Sequence, residues 1–216
     1  MKRNCSAVVI AFVIVVCAAQ SQTPEREAVW VSGNVGMFAS SITDFSRDYT
    51  SNLCLAFGSS FGIPLSSSTY VYGKVTYLFR SSDVTIFFSA PIPSAPNLTY
   101  EYPESAKLSF EQWIINAGVQ HDIALFEDLT LMLNGGITYS TVSEDLTWPD
   151  GQEGSPGADA FGLFAGIGLE SYFAGSRLGP FGECQFDYSR ADFHSGTVNL
   201  GGWNLMFGVK YYFDNR

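Results

Sequence analysis

The chain has 216 residues, 46% of them apolar and 15% charged, with a formal net charge of −10. So acidic a balance excludes nucleic acid as a partner, because phosphate backbones require a basic face. The length fits a single domain once a targeting segment is set aside.

That segment comes first. Lys2 and Arg3 precede an apolar run, Ala7 to Val16, and then the small residues of Cys17-Ala18-Ala19-Gln20-Ser21. A basic start, a short apolar core and small residues at its end are the pattern of a secretory signal peptide. Cleavage is expected after Ala19 or Ser21, which assigns 1–21 to the signal and 22–216 to the mature domain. Losing Lys2 and Arg3 takes the formal charge from −10 to −10 − 2 = −12. The bulk of Val16 argues against a lipidated Cys17. Cys5 and Cys17 leave with the signal, and the strand reading below turns Cys54 inward and Cys184 outward, so both are expected to stay free.

Eight segments then repeat one pattern, at about 28–39, 51–63, 69–80, 109–125, 128–143, 159–173, 179–191 and 199–213. In each, apolar residues recur at every second position, the period of a β-strand. One parity carries Val31, Val35, Met37, Leu55, Phe57, Phe61, Val71, Val75 and Tyr77. It continues with Trp113, Ile115, Val119, Ile123, Leu131, Ile137, Phe161, Ile167, Phe173, Cys184, Phe186 and Tyr188. The other parity holds Lys74, Arg80, Asp122, Glu170, Glu183, Asp187 and Lys210, with Asn34, Asn116, Gln120, Asn134, Asn204 and many glycines. Charges such as Lys74 and Asp122 interrupt every apolar region, so no helix long enough to span a membrane is expected. Any crossing is made by strands.

The connections alternate in length. Tight turns are expected at 64–68, 126–127 and 174–178, and longer loops at 40–50, 81–108, 144–158 and 192–198. Short turns at one end and long loops at the other describe an up-and-down barrel in an outer membrane. A secreted soluble barrel with its apolar parity turned inward is the alternative. It accounts for the alternation, but not for the loop asymmetry or for the aromatic residues near the strand ends.

The last segment is the most specific. From Trp203 the apolar parity reads Trp203, Leu205, Phe207, Val209, Tyr211, Phe213, and the polar parity reads Gly202, Asn204, Met206, Gly208, Lys210, Tyr212. It ends on an aromatic residue almost at the end of the sequence. This stretch resembles the closing strand of the OmpA/OmpX-like family of small outer-membrane β-barrel domains. The resemblance covers nearly all of the mature chain. It implies an all-β fold, an eight-stranded antiparallel up-and-down transmembrane β-barrel in the bacterial outer membrane, with lipid as its surroundings. The sequence stops at the eighth strand, so no appended cell-wall-binding domain is expected.

Candidate sites fall into two groups. Inside, Glu170, Glu183 and Lys210 lie on neighbouring strands and count to about the same level. They are expected to form a lumen ion network, joined by Lys74 and Asp122, because buried charges need partners. The competing reading makes the two glutamates a general acid/base pair. Outside, the loop 81–108 carries Phe87, Phe88, Tyr100 and Tyr102 among prolines, a stiff aromatic surface suited to contact with a partner. Its plainer reading is that the two flanking strands simply continue beyond the membrane. The acidic loop with Glu144, Asp145, Asp150, Glu153 and Asp159 reads as a solvated face, and Asn97-Leu98-Thr99 is formally a glycosylation acceptor.

Asp192, His194 and Ser195 match in type the set used by PagP-type lipid acyltransferases, but the helix preceding that enzyme's barrel has no counterpart in Gln22 to Glu27. His121 reads as a headgroup-level residue. No metal-ligand spacing and no phosphate-cradling glycine loop is present, so no cofactor or metal is expected. The sequence therefore reads as a non-catalytic, monomeric outer-membrane barrel with a structural or surface-interaction role, contacting lipid and, through its loops, an extracellular ligand. A narrow porin-like channel is the alternative. A lumen with so many charges and amides inside so small a barrel argues against it.

Overall fold

The computed structural model describes residues 28–42, 52–92, 95–147, 153–154, 157–172, 176–193 and 196–213. Residues 1–21, His194, Ser195 and Phe173 lie outside the described residues. Ten strands follow in order. They are β1 (Trp30–Ser40), β2 (Leu53–Ser66), β3 (Thr69–Ile92), β4 (Ala95–Phe126), β5 (Leu129–Thr147), β6 (Glu153–Gly154), β7 (Gly157–Ser171), β8 (Leu178–Phe193), β9 (Gly196–Asn199) and β10 (Gly202–Tyr212). All eight predicted segments are strands. The last is divided at Leu200-Gly201 into β9 and β10, yet Leu200 still donates its N–H to the carbonyl of Ser189 at 2.9 Å, so pairing with β8 runs through the break.

The eight long strands close into a ring, each antiparallel to its neighbours, with β10 bonded to both β8 and β1. One circuit of paired residues measures the stagger. Gly202 faces Asp187, then Phe164, Gly136, Gly118, Tyr72, Gly62 and Trp30, and Trp30 faces Tyr212 on the strand where the path began. The path returns displaced by 212 − 202 = 10 residues. For eight strands with a rise of about 3.3 Å per residue and a spacing of about 4.8 Å, that stagger tilts the strands by roughly 40–45°.

Two connections are two-residue hairpins, at 67–68 and 127–128. The segments expected as long loops differ more. Strands β3 and β4 run on as a paired two-stranded ribbon, from Arg80↔Phe110 past Phe88↔Tyr102 to Ile92↔Ala95. The span 81–108 is therefore mostly strand, not loop. β5 likewise extends to Thr147, and β8 with β9 fills much of 192–198. This is the plainer of the two readings of 81–108, in which the flanking strands continue, and the prolines do not prevent it. Pro91 and Pro103 sit in a ribbon whose strands have few other neighbours, and a strand edge tolerates a residue without an N–H. The β-favouring run Val84-Thr85-Ile86-Phe87-Phe88 carries the pairing onward.

The outer surface of the ring is apolar. Val35, Phe57, Val75, Ile115, Val119, Leu163, Ile167, Leu205 and Phe207 are exposed. Aromatic rings band it at both ends. Toward the ribbon, Tyr77 meets Trp113 at 4.7 Å, Tyr139 meets Phe161 at 4.9 Å and Phe186 meets Trp203 at 5.0 Å; toward the short turns, Tyr211 meets Phe213 at 5.0 Å. Arg190 lies level with Phe161, its guanidinium 5.2 Å from the Tyr188 ring. Ile123 departs from the expected outward set, since it is buried near the short-turn rim, beside the register shift between Ala124 and Phe126.

Candidate functional site

The interior is filled by side chains, and the stagger decides which ones meet. Along the circuit from Gly202 to Trp30, four glycines share one layer with Asp187, Phe164, Tyr72 and Trp30, the mixture of small and large residues that a narrow barrel requires. Gly62 shows why the small members are needed. A Cβ there would lie 2.3 Å from the indole of Trp30. At Gly179 a Cβ would lie 2.2 Å from Glu170 Oε1.

Toward the ribbon, Phe38, Cys54, Leu78, Phe110, Ile114 and Met206 belong to an apolar cluster that Leu200 also joins. Gln112 Nε2 donates to the Leu200 carbonyl at 2.8 Å, tying that residue in place. Toward the short turns, Trp30, Tyr70, Tyr72, Phe164, Tyr172 and Tyr212 form an aromatic cluster. Cys54 is buried within the first cluster, while Cys184 lies on the outward parity of β8, and neither is bonded to the other.

The charged residues divide into two pairs. Lys210 Nζ donates to Glu170 Oε2 at 2.8 Å, and Tyr212 Oη donates to Glu170 Oε1 at 2.5 Å. The same ammonium lies 4.2 Å from the Trp30 ring, a cation–π contact. Tyr172 and Tyr212 share a hydrogen bond of 2.7 Å. Lys74 forms the second pair, with Glu183, whose other oxygen accepts from Asn134 Nδ2 at 3.1 Å. Lys74 also reaches Gln185 Oε1 at 3.2 Å, and Gln185 Nε2 donates to both oxygens of Asp187, at 3.0 and 2.9 Å. Asn116 Nδ2 completes the cluster with a 2.8 Å bond to Asp187.

Four of the five expected network residues are thus ion-paired, but not as one group. Glu183 stands opposite Met206, and Lys210 opposite Gly179, so Glu183 and Lys210 are not level. Nor are the glutamates level, since Glu183 faces Gly168 and Glu170 faces Phe181. Lys210 does not serve both glutamates, because each has its own lysine from a different strand. Engaged separately, the two are not arranged as an acid/base couple. Asp122 belongs to neither pair and accepts from Gln120 Nε2 at 2.6 Å. Beside it, His121 is buried, with Nδ1 3.0 Å from Thr69 Oγ1. The expected network omits Asp187, Asn116 and Tyr212, although parity turns all three inward, and it omits Gln185. Their parity was visible, but nothing in the sequence says which polar group crosses the lumen to which.

For the ribbon, backbone pairing places Phe88 opposite Tyr102 and Ala90 opposite Tyr100, with Phe87 opposite Pro103. All four aromatics therefore stand on strands. His194 and Ser195 of the acyltransferase-like set lie outside the described residues. Among the described residues, no group of three or more His, Cys, Asp or Glu is placed to hold a metal ion.

No protein-family model matches the sequence. No curated relative matches it either. Solved structures do match. Neisserial surface protein A aligns with 86% of this chain and 97% of its own, at 13% identity and a TM-score of 0.56. Ail, the attachment invasion locus protein of Yersinia pestis, solved with the heparin analogue sucrose octasulfate, aligns with 86% of this chain and all (100%) of its own, at 13% identity and a TM-score of 0.51. A major outer membrane protein from Thermus thermophilus aligns with 86% and 98%, at 12% identity and a TM-score of 0.50. Such low identities speak to the backbone alone. In fold, this chain is a small eight-stranded β-barrel of the outer-membrane kind that these proteins share.

Proposed function

We propose that the mature chain is an integral outer-membrane protein without a catalytic site, whose role is structural or one of surface interaction. The observation that carries the reading is the division of the barrel surface. Among the described residues, an exposed apolar face, banded by aromatics at both ends, surrounds an interior holding every buried lysine and most of the buried carboxylates. A soluble barrel has no use for that arrangement. Lipid selects it, because a basic residue on the lipid face costs about 2–4 kcal/mol at mid-bilayer. On this reading residues 1–21 are the exported signal, and the ribbon of β3 and β4 with the longer connections faces the cell exterior.

The filled lumen supports the scaffold over the pore. An apolar layer from Phe38 to Met206 and an aromatic layer around Trp30 both lie across the path that a solute would take. The ribbon, with Phe87, Phe88, Tyr100 and Tyr102, is the surface offered to a ligand or partner. Ail was solved with a sulfated sugar analogue. The net charge of the mature chain, −10 − 2 = −12, disfavours a polyanion of that sort and favours a neutral or cationic partner.

Two measurements on purified protein test the proposal. A folded barrel should migrate faster on a denaturing gel before boiling than after, and planar bilayers containing it should show no discrete conductance steps. Regular single-channel steps would replace the scaffold with the pore, and a chain that stays in aqueous solution without detergent would remove both.

A further inference from the structure

The closed interior holds more carboxylates than ammonium groups. Glu170 is 0% exposed, Glu183 4%, Asp187 0%, Lys74 2% and Lys210 1%. Lys210 is matched to Glu170 and Lys74 to Glu183. Asp187 receives its hydrogen bonds from amides, Asn116 Nδ2 and Gln185 Nε2, and the Gln185 side chain stands between it and Lys74. Asp122, at the short-turn rim beside His121, is a separate group. Amide dipoles lessen the cost of a buried carboxylate but do not cancel its charge, and an unmatched charge in such a place is costly.

A second observation concerns neutral oxygens. Thr138 Oγ1, Asn134 Oδ1 and Asn204 Oδ1 are buried with no hydrogen-bond partner, as is the donor Asn204 Nδ2. They surround the same cluster. Thr138 is the register partner of Asn116, and Asn204 that of Gln185; Asn134 already donates to Glu183. Buried oxygens of this kind are ordinarily satisfied by an ion or by ordered water.

We infer that the mid-lumen binds one monovalent cation, a proton or an alkali-metal ion, on Asp187. One missing positive charge calls for one such ion. The scarcity of carboxylates at one point argues against a divalent metal, which would want several acidic ligands. The charged and titratable groups facing the site are Glu183, Lys74 and Tyr72; Glu170, Lys210, Tyr172 and Tyr212 belong to the layer nearer the short turns.

The test uses the full-length barrel in detergent, unfolded with urea and followed by tryptophan fluorescence. Sodium is exchanged for choline at constant ionic strength, and in a second series the pH is raised from neutral to mildly alkaline. A ligand at about ten times its dissociation constant raises the folded-to-unfolded ratio about elevenfold, so removing the cation should lower that ratio by about an order of magnitude. A response to choline identifies an alkali ion; a response to pH alone identifies a proton. Asp187→Asn keeps the side chain's shape without its charge, and should respond to neither. Glu183→Gln leaves two ammonium groups for two carboxylates and should lose the response as well, which keeps the test usable should Asp187→Asn not fold. A wild-type barrel indifferent to both series, or a folded variant that responds as wild type does, overturns the inference. Neither result bears on whether the chain resides in a membrane.

Discussion

Lys74 on β3 and Glu183 on β8 form an ion pair across the lumen although 109 positions separate them in sequence. No turn or hairpin brings them together. The pairing exists because the barrel closes with a ten-residue stagger, which sets opposite walls at matched heights. It fastens the two halves of the ring to each other.

The second pair gives the simplest mutational test. Replacing Lys210 with Met leaves Glu170 buried with Tyr212 but with no ammonium partner. Breaking one side of a buried pair costs about 3–5 kcal/mol. Urea unfolding of Lys210→Met should shift to markedly lower denaturant, and the double variant Lys210→Met with Glu170→Gln should recover part of the loss. Equal stability of wild type and Lys210→Met would mean that the pair holds nothing together.

Gly62 tests packing instead of charge. Its missing Cβ leaves the space that the Trp30 indole occupies, and a methyl group 2.3 Å from a rigid ring cannot be absorbed by a rotamer change. Gly62→Ala should destabilise the barrel by about 1–3 kcal/mol, as overpacking does. The near-ultraviolet circular dichroism of Trp30 should change with it. Gly33, which faces outward with nothing near its Cβ position, should accept alanine with little effect in the same assay.

Much of this was legible in the sequence, and the limits have physical causes. The last strand announced its two faces because each alternate residue from Trp203 to Phe213 is exposed or partly exposed and apolar, while Asn204, Met206 and Lys210 are buried. The inward assignment of Lys74, Glu170, Glu183 and Lys210 followed from parity alone. Their pairing did not follow, because counting from turns ignores stagger: Glu183 falls opposite Met206, four residues from Lys210. The ribbon was legible only as the plainer of two readings of 81–108, because its prolines also fit a loop. Prolines mark loops when strands are central, but Pro91 and Pro103 stand in an extension of β3 and β4, where missing N–H groups cost little.

The two cysteines distinguish inside from outside chemically. Cys54 is buried in the lumen beneath Phe38 and Leu78, and Cys184 sits on the outward face of β8. A lipid-soluble maleimide should modify Cys184 in the folded barrel and spare Cys54, while urea should open both. Labelling of Cys54 first would place that strand with its other face inward.

The most direct test concerns which face of the strands meets hydrocarbon. Trp113 and Trp203 are 47% and 57% exposed on the outer wall, whereas Trp30 is 0% exposed inside it. Variants that keep a single tryptophan can be reconstituted into vesicles whose acyl chains carry bromine, a contact quencher of indole fluorescence. Trp113 and Trp203 should be strongly quenched and Trp30 left bright. A bright Trp113 beside a quenched Trp30, or no quenching of any of the three, would contradict the lipid-facing assignment.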